Sequence, residues 1–367
     1  MKILFYDWAL YTIGGGQKFN CKIIEHLLKK HEVDIVTLFP VDLKQLEKFY
    51  SVSLSKAKII SIYSDIKPNA SFLKIISSKK ISEMSRNYDL FFNADAQESV
   101  KPQSNRNIMY CHFFEPLWYR PSKGILDFFK LLSLYIFRVY KRNYSKLYNI
   151  YCNSLYTQGW LKKLWNVEAK VIYPPVDIPT RQGKKENIIL STGRISPDKN
   201  YEFVIEVFRE AYTSARNYKL IICGKSDNIN YLNKLKEFGR NLSVEFLTDV
   251  SDKQMKEIYS KSKVFIQAKG IDNNDKRFPG LVEHFGMTSA EAMSYGCVPL
   301  LLNKGGYKEI VDKKTGFIFN SKDEAVKFFV KLINNKKLLE AMSKSGVQRA
   351  KIFSLERMQK QIDEAIA

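Results

Sequence analysis

The segment EHFGMTSAE, residues 283–291, carries two carboxylates, Glu283 and Glu291, at the entry into a predicted helix. Gly286 lies between them and permits close approach of the backbone to a ligand, and the unpaired N–H groups at a helix N-terminus attract anions. A carboxylate also accepts hydrogen bonds from vicinal hydroxyl groups. The pattern therefore predicts a site for a ligand with both hydroxyl groups and negative charge. The competing interpretation is an ordinary helix with a surface glutamate in its first turns.

A second motif, STGRISPDKN at 191–200, places two cations after a buried strand. Arg194 offers a planar fork of donors and Lys199 a compact point charge, and the pair suits a diphosphate. The competing interpretation is chance, because the chain has 59 lysine and arginine residues.

A glycine triplet follows the first predicted strand, in YTIGGGQKFN at 11–20. Such a loop can cradle a phosphate group. Gly14 and Gly16 match the start of the dinucleotide-binding fingerprint, but Phe19 occupies its third glycine position, which disfavours a nicotinamide enzyme. A flexible loop without a ligand is the alternative.

His112 ends an apolar strand in the segment MYCHFFEP, where a polar ring needs a partner or a function. A structural histidine is the competing interpretation. No other histidine or cysteine stands at metal-ligand spacing from it, so the sequence predicts no metal site.

Regular elements have to position these motifs, and short apolar runs alternate with amphipathic helical patterns along the whole chain. The runs are almost continuously apolar, which is typical of strands covered on both faces. This repetition predicts an α/β fold of doubly wound, parallel, Rossmann-like sheets. The predicted strands lie at 2–6, 33–39, 57–63, 89–94, 107–112, 149–154, 187–193, 218–224, 244–248, 263–268, 298–302 and 316–319.

A segment rich in proline and charge, residues 173–187, interrupts this pattern. Proline cannot continue a helix or a strand, and 367 residues are enough for two domains, so this segment is the best linker candidate. We expect an N-terminal Rossmann-like domain at 1–175, a second at 176–350 and a closing helix within 351–367. Ligands of such sheets bind at the carboxyl ends of the strands, which would line a cleft between the two domains.

The net charge of +21 predicts an anionic partner: nucleic acid, a membrane surface or a phosphorylated ligand. No nucleic-acid-binding motif is present, so nucleic acid is disfavoured. The five cysteines are widely spaced, which argues against disulfides. Four of them lie in or beside apolar runs, which predicts buried, reduced thiols: Cys111, Cys152, Cys223 and Cys297. We find neither a signal peptide nor an uncharged run of 18 residues, and we expect a cytoplasmic protein.

Taken together, the motifs resemble those of a known family. The segment at 283–299 resembles the E-x7-E signature of retaining glycosyltransferases of family 4, and 191–200 is similar to their diphosphate site. The segments at 110–116, 153–165, 171–177 and 283–287 look most like the branch containing the dolichol-linked oligosaccharide α-1,2-mannosyltransferase. The resemblance implies the GT-B fold, with an acceptor-binding first domain, a nucleotide-sugar-binding second domain and a C-terminal helix that crosses back to the first.

The resemblance also implies roles for individual residues. Arg194 and Lys199 would neutralise the departing diphosphate, and Glu283 would hold hydroxyl groups of the donor sugar. Glu291 would bind the ribose, and His112 would lie near O6 of the donor sugar and the reacting centre. The amides around Phe285, Gly286 and Met287 would help Glu283 to hold the sugar. Gly15 and Gly16 would approach the phosphates and the acceptor, and Gly224 and Val250 would border the base.

The implied reaction moves a hexose, with mannose favoured, from a GDP- or UDP-linked donor to a glycan or a polyprenyl-diphosphate-linked acceptor. It needs no metal and no cofactor besides this donor substrate. Three alternatives stay open: a nucleotide-sugar epimerase of the same fold, transfer to a soluble acceptor, and a basic nucleic-acid-binding protein.

Residues 117–148 combine aromatic and leucine side chains with several lysines and arginines. Charged residues within the stretch argue against a membrane span, whereas a basic amphipathic helix can lie on an anionic membrane surface. The sequence therefore predicts peripheral attachment to the inner face of a membrane. A helix packed on the first sheet is the alternative.

Overall fold

The computed structural model describes residues 1–65, 70–96, 99–114, 125, 129, 132 and 144–367. The chain divides into two compact units of similar size. The first comprises Met1–Pro174 together with Glu356–Ala367, and the second comprises Pro175–Leu355. The helix that ends the chain therefore belongs to the unit that begins it.

The first unit is built on a seven-stranded parallel sheet. Its strands are β1 (Lys2–Tyr6), β2 (Glu32–Thr37), β3 (Lys58–Ser61), β4 (Leu90–Asn93), β5 (Arg106–Cys111), β6 (Asn149–Cys152) and β7 (Ala169–Val171). They are ordered β3-β2-β1-β4-β5-β6-β7. Because β1 pairs with both β2 and β4, the strand order reverses between β1 and β4, and this reversal is a topological switch point.

Helices connect these strands and cover the sheet. Those of the first unit are α1 (Gly15–Leu27), α2 (Leu43–Tyr50), α3 (Ala70–Ile76), α4 (Ser78–Ser85) and α5 (Leu155–Trp165). The helix that closes the chain is α13 (Leu355–Ile366). It is tied to the first unit by polar contacts: Oδ1 of Asp363 lies 2.7 Å from Nε2 of His26, and Arg106 donates to the carbonyl oxygen of Ile366 over 2.7 Å.

The second unit repeats the plan with six parallel strands. They are β8 (Ile188–Thr192), β9 (Lys219–Cys223), β10 (Val244–Leu247), β11 (Val264–Gln267), β12 (Val298–Leu302) and β13 (Phe317–Phe319). Their order is β10-β9-β8-β11-β12-β13, with the switch point between β8 and β11. The helices are α6 (Tyr201–Glu210), α7 (Ile229–Phe238), α8 (Asp252–Lys261), α9 (Met287–Ser294), α10 (Tyr307–Ile310), α11 (Lys322–Ile333) and α12 (Lys336–Ala350).

The central strands are buried along their whole length, as their apolar sequences predict. Every residue of β8, β11 and β12 is buried, because helices cover both faces of the sheet. The predicted α/β class with two doubly wound parallel sheets is confirmed. Strand β7 was missed, because its three residues, Ala-Lys-Val, have a lysine at their centre and form no continuous apolar run.

Six of the described helices start at a polar residue that accepts a hydrogen bond from the first turn. Such caps contribute about 1 kcal/mol each and define where the helix begins. They are Asp42, Ser154, Asn228, Ser251, Ser321 and Asn335. In contrast, α1 and α9 begin after Gly14 and Gly286, with no side-chain cap. Their first N–H groups are not satisfied by a capping side chain, and each helix begins beside candidate residues of its own unit.

All five cysteines are buried free thiols, as predicted from their apolar surroundings. Within the described residues, no helix combines the length and the apolar composition that crossing a bilayer requires.

Candidate active site

Four connections of the second unit leave its sheet at the carboxyl ends of the strands. Residues 193–200 follow β8, Gly224 follows β9, Val250 lies shortly after β10, and residues 268–286 follow β11. The strands are parallel, so these connections share one edge of the sheet. Each candidate residue of the second unit lies in one of them or in α9. The structure therefore brings these residues to the edge at which open α/β sheets bind ligands.

At this edge, Glu283 lies against two lysines. Its Oε2 is 3.0 Å from Nζ of Lys199 and 3.9 Å from Nζ of Lys269. The side chains of Lys199, Glu283 and Lys269 are 17%, 18% and 16% exposed. Lys199 was predicted to face the diphosphate and Glu283 the sugar hydroxyls, and the structure places these two side chains in direct contact. Lys269 was not predicted, although a charged residue so soon after a buried strand was a usable signal.

The charge of this cluster is not balanced. Burial raises the pKa of Glu283, but the ammonium groups of Lys199 and Lys269, with a smaller effect of His284, outweigh burial and hold it well below its usual range. Glu283 is therefore ionised at neutral pH, and two positive charges face one negative charge. Because an ammonium group has three donors, Lys199 can bond to Glu283 and to an oxygen of a second anion together.

Arg194 shares the 193–200 connection with Lys199 but lies apart from the cluster. Its side chain is exposed and forms no ion pair with any residue that the structure describes. The sequence analysis named it as a diphosphate ligand, and its charge is available for one.

Gly224, directly after β9, packs with its backbone against Gly193, the first residue of the 193–200 connection. Its φ of +152° lies in a region that L-residues rarely adopt, and a Cβ atom built on it would lie 1.9 Å from the carbonyl oxygen of Gly193. Gly193 itself donates its N–H to the carbonyl of Cys223 over 3.0 Å. The ends of β8 and β9 therefore touch backbone to backbone, and only glycine fits between them.

The turn into α9 is formed by Phe285, Gly286 and Met287. Gly286 has φ +99°, and a Cβ there would come within 3.0 Å of the ring of Tyr307. The side chain of Phe285 is 2% exposed and packs edge-on against Phe353, with ring centroids 5.3 Å apart. The side chain of Phe285 is thus part of the core, so Phe285 can offer a ligand only its backbone groups.

Gln267, the last residue of β11, holds the surrounding elements together and was missed by the sequence analysis. Its Nε2 donates to the carbonyl of Thr192 and to Oγ1 of Thr288, the latter over 3.0 Å. Its Oε1 accepts from Ser289 over 3.2 Å and from Tyr307 over 2.9 Å. A polar residue at the end of an apolar strand was the available signal.

Glu291, one turn inside α9, belongs to a different network from Glu283. It accepts a hydrogen bond from the hydroxyl of Tyr259 over 3.3 Å, and that hydroxyl also lies 3.3 Å from Oγ1 of Thr192. Burial, followed by the charge of Glu291, raises the pKa of Tyr259 well above its usual value, so Tyr259 stays a donor. Val250, partly exposed, immediately precedes the N-cap of α8, the helix that carries Tyr259.

In the first unit the structure brings His112, Gly15 and Gly16 together. A Cβ on Gly16 would lie 3.5 Å from the imidazole of His112, and Gly15 begins α1 beside it. The ring is flanked edge-on by Phe19 and Tyr110, at centroid distances of 5.4 and 5.0 Å. Burial lowers the pKa of His112 to about 4, so the ring is neutral at physiological pH.

Two further polar residues stand behind His112, and the sequence analysis did not identify either as a site residue. Nε2 of His112 lies 3.2 Å from Oδ1 of Asn20, and Nδ2 of Asn20 donates to Oδ2 of Asp7 over 2.8 Å. Asp7 and Asn20 are each 2% exposed. Burial and the neighbouring Asp95 raise the pKa of Asp7 to about 6, against the partial offset of Asn20, the N–H of Ala9 and Lys74.

We expect Asp7 to reduce stability as the pH rises. Its folded-state pKa of about 6 exceeds the reference value of 3.8, so the unfolded chain releases the proton first. Stability is therefore lost between these two values and stays reduced above them. Relative to Asp7→Asn, the free energy of unfolding should fall by roughly 1–2 kcal/mol between pH 5 and pH 8, since one pKa unit corresponds to about 1.4 kcal/mol. Urea unfolding of both proteins at several pH values measures this, and a difference that does not change with pH would contradict it.

Within the described ranges, no group of three or more histidine, cysteine, aspartate or glutamate side chains is arranged to hold a metal ion.

Residues 177–349 match the family model described as glycosyl transferases group 1. A Dictyostelium discoideum protein, GDP-Man:Man(3)GlcNAc(2)-PP-Dol alpha-1,2-mannosyltransferase, is 25% identical over 252 residues, covering 59% of this chain and 48% of that protein. Alpha-1,3/1,6-mannosyltransferase ALG2 of Candida glabrata is 26% identical over 281 residues, and the match covers 63% of this chain and 58% of the Candida glabrata protein. This chain thus spans about half of the length of these relatives.

Solved structures match nearly the whole chain. HepE of Anabaena, in complex with UDP and glucose, superposes with a TM-score of 0.72 at 17% identity, covering 99% of this chain and 98% of that one. WaaG, a glycosyltransferase involved in lipopolysaccharide biosynthesis, has a TM-score of 0.72 at 15% identity, covering 100% and 99%. At such low identity this likeness establishes the fold, which is GT-B.

Proposed function

We propose that this chain, which has the GT-B fold and a glycosyl transferases group 1 domain at residues 177–349, is a retaining glycosyltransferase. It moves a hexose from a nucleotide-diphosphate sugar to a hydroxyl group of a glycan or lipid-linked acceptor. Mannose is favoured because the relatives described above are named as mannosyltransferases. UDP stays a candidate for the nucleotide part of the donor, because the HepE structure contains it.

The observation that carries this proposal is the cluster of Lys199, Glu283 and Lys269 beside the start of α9. It combines a carboxylate that stays ionised with an excess of positive charge, at the edge where such sheets bind ligands. A nucleotide sugar carries both complementary features, namely vicinal hydroxyl groups and a diphosphate. Glu283 would accept from the sugar hydroxyls, while Lys199 and Arg194 would face the diphosphate.

This arrangement suits the chemistry of glycosyl transfer. Breaking the bond between the anomeric carbon and the phosphate oxygen builds negative charge on the leaving diphosphate. Fixed cations stabilise that charge without reorganising during the step. Lys199 is held by Glu283 before the donor binds, so its position does not depend on the donor.

The first unit would bind the acceptor and would also contribute His112 to the donor sugar. The glycine start of α1 has no capping side chain, and the adjacent imidazole of His112 is neutral. A neutral ring can accept a hydrogen bond from a sugar hydroxyl, which a charged imidazolium cannot do. We assign His112 to the donor sugar near the reacting centre, and Gly15 and Gly16 to phosphate and acceptor.

Binding of the donor is tested by thermal stability. We expect one of GDP-mannose, UDP-glucose, UDP-GlcNAc and UDP-galactose to raise the melting temperature, since a ligand of the folded state stabilises it by mass action. Arg194→Ala with Lys199→Ala should abolish the rise. The control Arg216→Ala with Lys236→Ala removes the same charge from exposed positions and should keep it. Equal protection of both double variants would refute the diphosphate assignment. The reaction itself is tested separately, by measuring sugar transfer to a polyprenyl-diphosphate-linked glycan.

We further propose that the protein acts at the inner face of a membrane. The basic stretch 117–148 lies mostly outside the described residues, but Ile125 and Phe129 are described, and they are 74% and 58% exposed. They stand four residues apart, so on a helix they share one face, and exposed apolar side chains among basic residues suit an anionic bilayer.

Ile125→Ser with Phe129→Ser should therefore weaken cosedimentation with phosphatidylglycerol vesicles several-fold, whereas binding to phosphatidylcholine vesicles should be weak for all variants. Ile229→Ser is the matched control, because Ile229 is 63% exposed and lies on α7 of the second unit. If the wild-type protein does not cosediment with anionic vesicles, this membrane attachment is ruled out.

A further inference from the structure

We propose that Asp7 and Asn20 are positioning residues that hold His112 in the tautomer whose Nδ1 accepts a hydrogen bond from a substrate hydroxyl. The identity of that hydroxyl, on a sugar, rests on the proposed function. The tautomer itself does not, because it follows from three buried side chains of the first unit.

The relay begins at a carboxylate that can only accept hydrogen bonds. Asp7 directly follows β1, and its Oδ1 accepts the N–H of Ala9 over 2.9 Å. Its Oδ2 lies 2.8 Å from the side-chain amide of Asn20, on α1. The charge of Asp7 is influenced by Asp95 and Lys74 as well as by burial, and with a pKa of about 6 it is ionised at pH 8.

The carboxylate fixes the orientation of the Asn20 amide. An ionised carboxylate has no proton to donate, so the NH2 group of Asn20 has to face it. The carbonyl oxygen of the same amide then faces Nε2 of His112, at 3.2 Å. A carbonyl oxygen only accepts, so Nε2 has to carry the proton.

The second ring nitrogen is then an acceptor. Burial lowers the pKa of His112 to about 4, so the ring carries one proton rather than two. With that proton on Nε2, Nδ1 has a free lone pair. No described residue bonds to Nδ1, while Phe19, Tyr110 and Gly16 confine the ring. Because a hydroxyl group can donate to this lone pair, the relay prepares an acceptor before substrate arrives.

A purely structural role is the alternative, in which Asp7 and Asn20 only tie β1 to α1. The isosteric change Asp7→Asn distinguishes this structural role from the proposed positioning role. The new amide keeps its oxygen on the N–H of Ala9 and turns its NH2 group to Asn20. Asn20 then rotates, its own NH2 group faces His112, and Nε2 becomes the acceptor. The proton moves to Nδ1, so the tautomer is inverted.

The tautomer is measured directly in the ligand-free, full-length protein. Long-range proton–nitrogen correlation spectra at pH 8, with nitrogen-15-labelled histidine, resolve both ring nitrogens of four histidines. His112→Gln assigns the signals. We expect protonated Nε2 in the wild type, protonated Nδ1 in Asp7→Asn and a mixture in Asn20→Ala. The same tautomer in all three proteins would overturn the relay, and Asn20→Ala decides the question if Asp7→Asn does not fold.

Kinetics provide the second readout. Asp7→Asn should lower kcat/KM about tenfold, the effect of one hydrogen bond, and should have no further effect in a His112→Gln background. An equal loss in both backgrounds would show a structural role and contradict the proposal. If the wild type transfers no sugar from any donor, the proposed function fails, whereas the tautomer measurement still decides the relay.

Discussion

Glu283→Gln should reduce transfer roughly 100-fold or more and should also destabilise the second unit. The amide keeps the shape of the side chain but removes the charge that faces Lys199 and Lys269. Lys199 is then no longer held in place, and fixed groups that act on developing charge contribute about 100- to 1000-fold each. Initial rates with the donor identified by thermal stability measure the loss of transfer.

The same substitution leaves two largely buried cations without a counter-charge. Removing one partner of a buried ion pair costs about 3 kcal/mol or more, and the pair is less than one-third exposed, so solvent screens it weakly. The pKa of Glu283 is depressed, so its contribution to stability is present above the unfolded pKa near 4.5 and is lost as the pH falls further. The difference from wild type in urea unfolding should therefore be largest at neutral pH.

The second unit contains a matched ion pair for comparison. Glu245 lies 2.9 Å from Lys219, but these side chains are 43% and 45% exposed. Glu245→Gln should cost less than about 1 kcal/mol and leave transfer unchanged, because exposed pairs are hydrated and screened. If Glu283→Gln and Glu245→Gln lowered folding stability and transfer by equal amounts, the buried cluster would have no role in either beyond that of an exposed ion pair.

Gly224→Ala should cost about 3 kcal/mol or more of folding stability and abolish protection by the donor. The added methyl group would lie 1.9 Å from the carbonyl oxygen of Gly193, which is backbone and cannot rotate away. The φ of +152° adds strain of its own. The clash is relieved only if the ends of β8 and β9 separate. Overpacking and backbone strain each cost about 1–3 kcal/mol of folding stability. Urea unfolding and melting temperatures with the donor measure both effects.

Gly159→Ala is the control for this prediction. Gly159 is an exposed residue within α5, and a Cβ there would meet nothing within 4 Å. Alanine favours helix more than glycine by about 1 kcal/mol, so this variant should be slightly more stable than wild type. If Gly224→Ala were as harmless as Gly159→Ala, the close backbone contact between β8 and β9 would be disproved.

The sequence predicted the fold well because the fold is encoded locally. Continuous apolar runs such as β8 and β12 are long enough to show burial on both faces, and polar caps such as Ser251 indicate where helices begin. The candidate loops could be found as well, because parallel strands place their carboxyl ends at one edge of the sheet.

The partners within the site could not be predicted in the same way. Lys199 and Glu283 are 84 residues apart in sequence, and no local pattern indicates that their charges meet. No motif indicated Asp7, and Asn20 was named only as part of the glycine-containing segment 11–20. Their connection to His112 depends on β1, α1 and β5 packing around one point.

The sequence by itself determined the class of fold, the edge of each sheet that carries the candidate residues and the excess of positive charge of the whole chain. These properties depend on residue type and on periodicity along the chain. Tertiary structure alone decided which charges neutralise each other, that the side chain of Phe285 packs in the core, and which nitrogen of His112 holds its proton. Charge pairing and protonation act over a few ångströms between residues that are remote in sequence, so only packing can fix them.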